Sequence, residues 1–309
     1  MRNLCIVLFA IILSGCTDNL FKQSSIGKEY EVLLVSDDSL AKETIRNILE
    51  TEVEGVPQFE PSFDVVSTNT IDKKNCLSRN IVVITTDSSN YTSTRIEYEK
   101  NVYASPQLIV QVMTPTAKTL KEDSAKVHKS LSQLIESAET ERAIGDIKSN
   151  HNSKYEKAIQ EKFSIGILVP KQMSAIKCGE NFIWLSNNAA TNMQNICIYQ
   201  FGGTDIDMNH FISKRDSIMR KNIPGEHDNM YMKTVANSVT FKRMESGMRV
   251  KGLWEMTNDM MGGPFSARIS IDKVHRKTIV AEAFIYAPET KKRNNMRRLE
   301  AALYTLSFK

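Results

Sequence analysis

The sequence predicts an α+β protein of two α/β sandwich-like domains, with mostly antiparallel sheets and helices packed on them. Segments rich in β-branched residues alternate with segments whose apolar residues recur at helical spacing. The 309 residues suit one large or two ordinary domains, and the 41% apolar and 25% charged fractions are ordinary for a globular protein. A formal charge of +4 is too small to indicate a nucleic-acid partner.

The N-terminal segment has the form of a bacterial lipoprotein signal. Its apolar run, residues 4–13, is too short for a bilayer, which needs about 20 residues. Arg2 precedes this run, and LSGC, which ends at Cys16, resembles a lipobox. We therefore expect removal of residues 1–15 and lipidation of Cys16. An ordinary signal peptide with a chance cysteine is the alternative.

The predicted N-terminal domain spans residues 28–163, after a polar tether at 16–27. A strand at 31–36 is followed by a helix that Asp37 or Asp38 can cap. Further strands are predicted for FDVVST, NIVVITT and QLIVQVM, and a long helical pattern follows Pro115.

The predicted C-terminal domain spans residues 164–309. Strand-like segments, a helix, four further strands that we expect to be antiparallel, and a final helix follow one another. The strands are FSIGILVP, FIWLSNN, NICIYQF, SVTFKR, MRVKGLWEM, FSARISID and KTIVAEAFIYAP, and the helices are FISKRDSIMRKNI and KKRNNMRRLEAALYTL. This order predicts a sheet with helices packed on it.

Several segments together resemble a family of Bacteroidota-type envelope lipoproteins that carry a domain of unknown function. They are LSGC, EVLLVSDD, VPQFEPSFDV, YASPQLIVQV, FSIGILVPK, NFIWL, KRDSIMRK with IPGE, GLWEMTNDMMGGPF, YAPETKKRN and RRLEAALYTL. The resemblance implies a lipid-anchored envelope protein of a Gram-negative bacterium and no known activity, so no catalytic residue can be assigned from it. The C-terminal half also resembles the αβα sandwich of photosystem-associated and Ran-binding small proteins, a likeness of fold alone.

The residues after Cys16 favour one side of the envelope. Thr17 stands where aspartate would signal retention in the inner membrane, so we expect the outer membrane. Lipoproteins displayed on the cell surface tend to carry a cluster of charged residues just after the cysteine. Here only Asp18 is charged, so we expect the periplasmic face.

Motif searches exclude several chemistries. The sequence has no HExxH, GxSxG, GxxxxGK[ST] or GxGxxG motif. Residues 205–216 have part of a calcium-loop spacing, but His210 replaces the turn glycine and Asp216 the final glutamate. His227, between Glu226 and Asp228, could be an oriented base, although a polar loop explains it more simply. We therefore expect no metal and no cofactor.

Two unusual stretches are the candidate ligand-binding residues. In GLWEMTNDMMGGPF these are Trp254, Asn258, Asp259, Gly262 and Gly263. In KKRNNMRR they are Lys291, Lys292 and Arg293, whose charges oppose the dipole of the helix they begin. Nearby carboxylates, an anionic ligand or lipid head groups could offset that cost. We expect both stretches to border one surface depression.

Five cysteines are present, and none forms a CxxC motif. Cys178 and Cys197 flank two strands that could pair as a hairpin, so they are a possible disulfide, with buried free thiols as the alternative. Cys76 would remain unpaired.

The leading functional prediction is a non-enzymatic, lipid-anchored module that binds or scaffolds something in the envelope. The alternative is an envelope hydrolase that acts on glycan or peptide through unidentified carboxylates, and a purely structural role is the third. The expected partners are the membrane, through the N-terminal lipid, and an anionic lipid or an envelope protein.

Overall fold

The computed structural model describes residues 22–244 and 247–308, which form two α+β domains. The predicted signal at residues 1–15 and the predicted lipidation of Cys16 lie outside these residues. No helix in the described part of the chain is both long and apolar enough to cross a bilayer. The described chain begins against the N-terminal domain, where the Lys22 ammonium donates to the Asn101 carbonyl (2.5 Å).

The N-terminal domain is a five-stranded sheet with its helices on one face. Its elements are β1 (Glu31–Val35), α1 (Ser39–Leu49), β2 (Asp64–Thr68), β3 (Asn80–Thr86), β4 (Arg95–Lys100), β5 (Leu108–Thr114), α2 (Ala117–Glu122) and α3 (Ser124–Ser149). The strand order is β2-β1-β3-β5-β4. The predicted cap of α1 is Asp38, whose carboxylate accepts from the amides of Leu40 and Ala41 (both 3.0 Å).

This first sheet is mainly parallel. β1, β2, β3 and β5 run in one direction, and only the edge strand β4 is antiparallel. β1, β3 and β5 are rich in buried Val, Leu and Ile because the middle strands of a parallel sheet are covered on both faces. The expectation of antiparallel sheets therefore holds for the second domain.

The C-terminal domain has a seven-stranded antiparallel sheet between helices. Its elements are α4 (Ser153–Phe163), β6 (Ile165–Gly166), β7 (Ala175–Cys178), β8 (Phe182–Ser186), β9 (Met193–Gly202), α5 (Met208–Asn222), β10 (Met232–Met244), β11 (Gly247–Met256), β12 (Gly262–Asp272), β13 (Lys277–Tyr286), α6 (Arg293–Leu303) and β14 (Ser307–Phe308). The order is β10-β11-β12-β13-β9-β8-β7, and β14 pairs with β6.

The two faces of this sheet alternate along each strand and pack against different helices. Ile159 of α4 and Leu299 of α6 belong to one apolar cluster. Phe211 and Met219 of α5 belong to the other, with Trp254 of β11. The second domain is thus an αβα sandwich, and α5 and α6 lie on opposite sides of it.

Helix α3 contributes to the cores of both domains. Its earlier residues Val127, Leu131 and Ile135 pack in the N-terminal core, and Ile147 packs in the C-terminal core. A helix of this length spans about 39 Å. Because α4 also packs in the C-terminal core, the structure places the domain boundary between α3 and α4, and not at the predicted position 163/164.

The possible disulfide between Cys178 and Cys197 is a wrong prediction, because both thiols are free. Cys178 pairs with Ile183 on β8, whereas Cys197, on β9, pairs with the next β8 residue, Trp184, so the two thiols point to opposite faces. Two strand spacings also put them about 9.6 Å apart, beyond the roughly 7 Å that a disulfide allows.

Candidate functional site

The basic start of α6 lies against the N-terminal domain. The Glu60 carboxylate accepts from the backbone amides of Lys292 (2.7 Å) and Arg293 (3.0 Å). Lys292, the residue before the helix, makes no side-chain cap of its own. Glu60 therefore caps α6 from the other domain, with a negative charge where the helix dipole favours one. Of the predicted ways to offset the basic start, the structure contains the nearby carboxylate.

The arginines that follow are held in the same interface. Arg293 pairs with Asp64 (2.6 Å) and donates to the Pro61 carbonyl. Arg297 donates to the Ser62 carbonyl (2.7 Å), and its guanidinium lies over the Tyr30 ring (4.3 Å). Burial in this interface raises the pKa of Tyr30 well above its usual value, although Arg297 opposes the shift.

The prediction of a basic wall open to an anionic ligand is therefore wrong for two of its three residues. Lys292 and Arg293 are each only 4% exposed, because the N-terminal domain covers them. Lys291 is exposed. The cations that break the helix-dipole rule serve the contact between domains.

The ion pairs between the domains share one polarity in the described residues: the acid belongs to the N-terminal domain and the cation to the C-terminal domain. The pairs are Glu29–Arg298, Glu54–Lys242, Glu54–Arg249, Asp64–Arg293 and Glu136–Arg297. The two pairs of Glu54 and the Glu136–Arg297 pair border a cleft of about 880 Å³. Burial alone would raise the pKa of Glu54, but a hydrogen bond from Thr240 and the charge of Lys242 outweigh it, and the pKa is lowered.

A second cavity, which we call the tryptophan pocket, lies in the C-terminal domain where α5 ends and leaves the sheet uncovered. Its volume is about 280 Å³. Its lining includes both tryptophans of the chain and five of its 14 methionines. The lining residues are Trp184, Met193, Ile223, Pro224, Gly225, Glu226, Met230, Met232, Trp254, Met256, Asp259, Met261, Phe284 and Tyr286.

The two tryptophans are fixed differently. Trp184 is half-buried, and its indole N–H donates to the Asn195 side chain (2.9 Å). Trp254 is 2% exposed and meets Phe284 edge to face, with ring centroids 5.5 Å apart. Its buried indole nitrogen has no hydrogen-bond partner in the described chain. Trp254 thus forms a rigid inner wall, and Trp184 lies nearer the solvent.

The glycine pair of GGP has a packing explanation. A Cβ atom at Gly263 would lie 2.1 Å from the Ile285 carbonyl oxygen and 3.3 Å from the indole nitrogen of Trp254. Only glycine allows β12 and β13 to approach each other here while Trp254 occupies its place. Asn258, with φ of 59°, belongs to the turn that joins β11 to β12.

The structure brings together only part of the predicted site. Trp254 and Asp259 line the tryptophan pocket, whereas Asn258, Gly262 and Gly263 shape the adjoining turn and strand. The prediction that this stretch and residues 291–293 border one depression is wrong, because α6 packs on the sheet face opposite Trp254. The methionines and Trp184 were missed as site residues, although the seven methionines of residues 230–261 were a visible signal.

A buried ion pair lies under the α5 side of the sheet. Arg215 of α5 and Glu282 of β13 are fully buried, 2.7 Å apart. Tyr199 donates to the same carboxylate (2.9 Å), and the guanidinium lies 4.1 Å from the Phe265 ring centroid. Burial, reinforced by Glu282, raises the pKa of Tyr199. The pair is closed off from solvent, so it fixes α5 on the sheet beside the pocket.

Known proteins supply no activity for these domains. Two family models match the chain. Residues 25–148 match a domain of unknown function (DUF8532), and residues 152–305 match another domain of unknown function (DUF4837). The gap between them falls at the α3–α4 junction, where the structure also divides the chain. No curated protein matches.

Among solved structures, the chain is similar to the Ran-binding protein Mog1p of Saccharomyces cerevisiae. The identity is 10%, and the match covers 47% of this chain and 90% of that one, with a TM-score of 0.30. A similarity at that level carries no argument about function.

Among residues 22–244 and 247–308, no group of three or more His, Cys, Asp and Glu side chains could hold a metal ion.

Proposed function

We propose that the protein is a lipid-anchored envelope protein whose C-terminal domain binds an apolar ligand in the tryptophan pocket. The observation that carries the proposal is the pocket itself: aromatic and thioether side chains line a cavity at the end of α5, where nothing in the described chain fills it. Ligand sites are typically concave and mostly apolar, with a few polar groups. Methionines adapt their shape to a ligand, and Trp254 provides a fixed surface.

The anchor and the location rest on the sequence. LSGC at residues 13–16 supports lipidation of Cys16, and several acyl chains at about 0.8 kcal/mol per CH₂ would hold the protein firmly. The proposed location, the periplasmic face of the outer membrane, is supported by Thr17 and by the single charge at Asp18. Intact-mass analysis of the membrane-extracted protein should show loss of residues 1–15 and added acyl mass. An unmodified Cys16 would refute the anchor.

The binding test uses two neighbouring methionines. Met261 lines the pocket, and the adjacent Met260 is 98% exposed and does not. Met261→Trp should fill the cavity and abolish binding of an apolar probe such as tert-butylbenzene, measured by NMR line broadening. Met260→Trp should bind it like the wild type. Equal binding by both variants would contradict the proposal.

The same preparation tests the alternative functions. Native mass spectrometry of the protein purified from its own envelope should show a bound small molecule that Met261→Trp loses. The hydrolase alternative has no supporting observation of its own in the described residues.

A further inference from the structure

We infer that the ligand of the tryptophan pocket is an organic cation, an ammonium group attached to an apolar body. The inference rests on the proposed function and specifies the chemistry of the same site. It depends on the charges at the mouth of the pocket and on the rings that line its walls.

Two carboxylates stand at the solvent side of the pocket. Glu226 and Asp259 both line it and both are exposed. Neither makes an ion pair with any described residue, whereas the neighbouring Glu255 pairs with Lys233 (2.9 Å). No lysine, arginine or histidine lines the pocket. The charged residues of the lining are therefore both acidic, although the whole chain is formally +4.

The walls also suit a cation. Four aromatic rings line the cavity, those of Trp184, Trp254, Phe284 and Tyr286. Ring faces attract ammonium groups, and tryptophan does so most strongly. The chain uses this attraction at the edge of the pocket, where the Lys177 ammonium lies 6.0 Å from the centroid of the Trp184 ring. The thioether sulfurs are polarisable and add no positive charge.

An anionic ligand suits the site poorly. It would meet two carboxylates at the entrance, and the inner wall would offer it one buried donor, the indole N–H of Trp254. A neutral apolar ligand would gain binding free energy from contact with the walls, but it would gain none from the carboxylates. The ligand class that uses both features has a positive head near Glu226 and Asp259 and an apolar body against the rings.

The test compares two probes of one shape. Phenyltrimethylammonium has a positively charged nitrogen at the position where tert-butylbenzene has a neutral carbon. Binding of both to the full mature protein is measured by NMR titration. We expect the cation to bind at least about tenfold more tightly, the scale of a desolvated cation–π contact with nearby carboxylates. Glu226→Gln with Asp259→Asn should weaken the binding of phenyltrimethylammonium more than that of tert-butylbenzene, and so reduce that preference.

A matched control lies in the same loop. Asp228 is exposed and does not line the pocket, so Asp228→Asn should keep the preference. If both probes bind equally, or the neutral probe binds better, the pocket is a ligand site and the inference about charge is overturned. If neither binds, the proposed function fails, and the inference fails with it.

Discussion

Removing the Glu60 carboxylate should loosen the joint between the domains. The side chain is 4% exposed and accepts from two backbone amides, at 2.7 and 3.0 Å. A hydrogen bond to a charged group contributes about 1.5–3 kcal/mol, and a helix cap about 1 kcal/mol. Because the covering domain limits replacement by water, we expect Glu60→Ala to lower the free energy of unfolding by about 3 kcal/mol. Glu60→Gln keeps one acceptor oxygen and should cost about half as much.

Urea unfolding followed by circular dichroism measures this change, and hydrogen exchange at the amides of Lys292 and Arg293 locates it. Exchange at both amides should accelerate in Glu60→Ala while exchange in β9 stays slow. The control is Glu52→Ala, since Glu52 is exposed and makes no ion pair in the described chain. The capping argument is refuted if the two alanine variants lose the same stability within about 0.5 kcal/mol.

Three further predictions concern the C-terminal domain and the shared helix. Glu282→Gln should cost about 3–5 kcal/mol in urea unfolding, because a buried guanidinium loses its counter-ion; a loss below 1 kcal/mol would contradict it. Gly263→Ala should lower the stability by about 1–3 kcal/mol, because its Cβ would lie 2.1 Å from a backbone carbonyl oxygen. Gly145→Ala should be neutral or stabilising, because Gly145 lies in a helix with open space around it. Calorimetry should show a lower melting temperature for Gly263→Ala than for Gly145→Ala. Cys178 is exposed and should react with a thiol reagent in the native protein, whereas Cys197 should react only after unfolding, since burial raises the pKa of its thiol; equal native reactivity would disprove this.

Much of the fold was predictable because its elements are locally consistent. The predicted strand NIVVITT coincides with β3, and the Asp38 cap and the helix after it follow from adjacent residues. The edge strand β4 was missed, since RIEYEK is largely exposed and has only two apolar residues, Ile96 and Tyr98. The assignment of α4 to a domain depends on which core its apolar face meets, and helical spacing does not contain that information.

The candidate site was predicted less well for a related reason. The sequence pointed to Trp254 and Asp259, which lie in a stretch of unusual composition. It could not show that Glu60 meets Lys292, because those residues are 232 positions apart. A charge that breaks a local rule indicates only that a partner exists. The sequence did not show whether the partner was a lipid, a ligand or another part of the chain.

The position of α3 in both cores has a consequence for how the chain folds. Its last turns carry Ile147, which has no core to join until the second sheet forms. The acids of the first domain likewise await cations that come mostly from the last helix. Contacts so distant in sequence form slowly, since a long loop must close before they stabilise anything. A chain truncated before α6 would therefore keep an uncovered acidic surface and an exposed apolar helix end, and exposed apolar surface is what makes an unfinished protein aggregate or bind a chaperone.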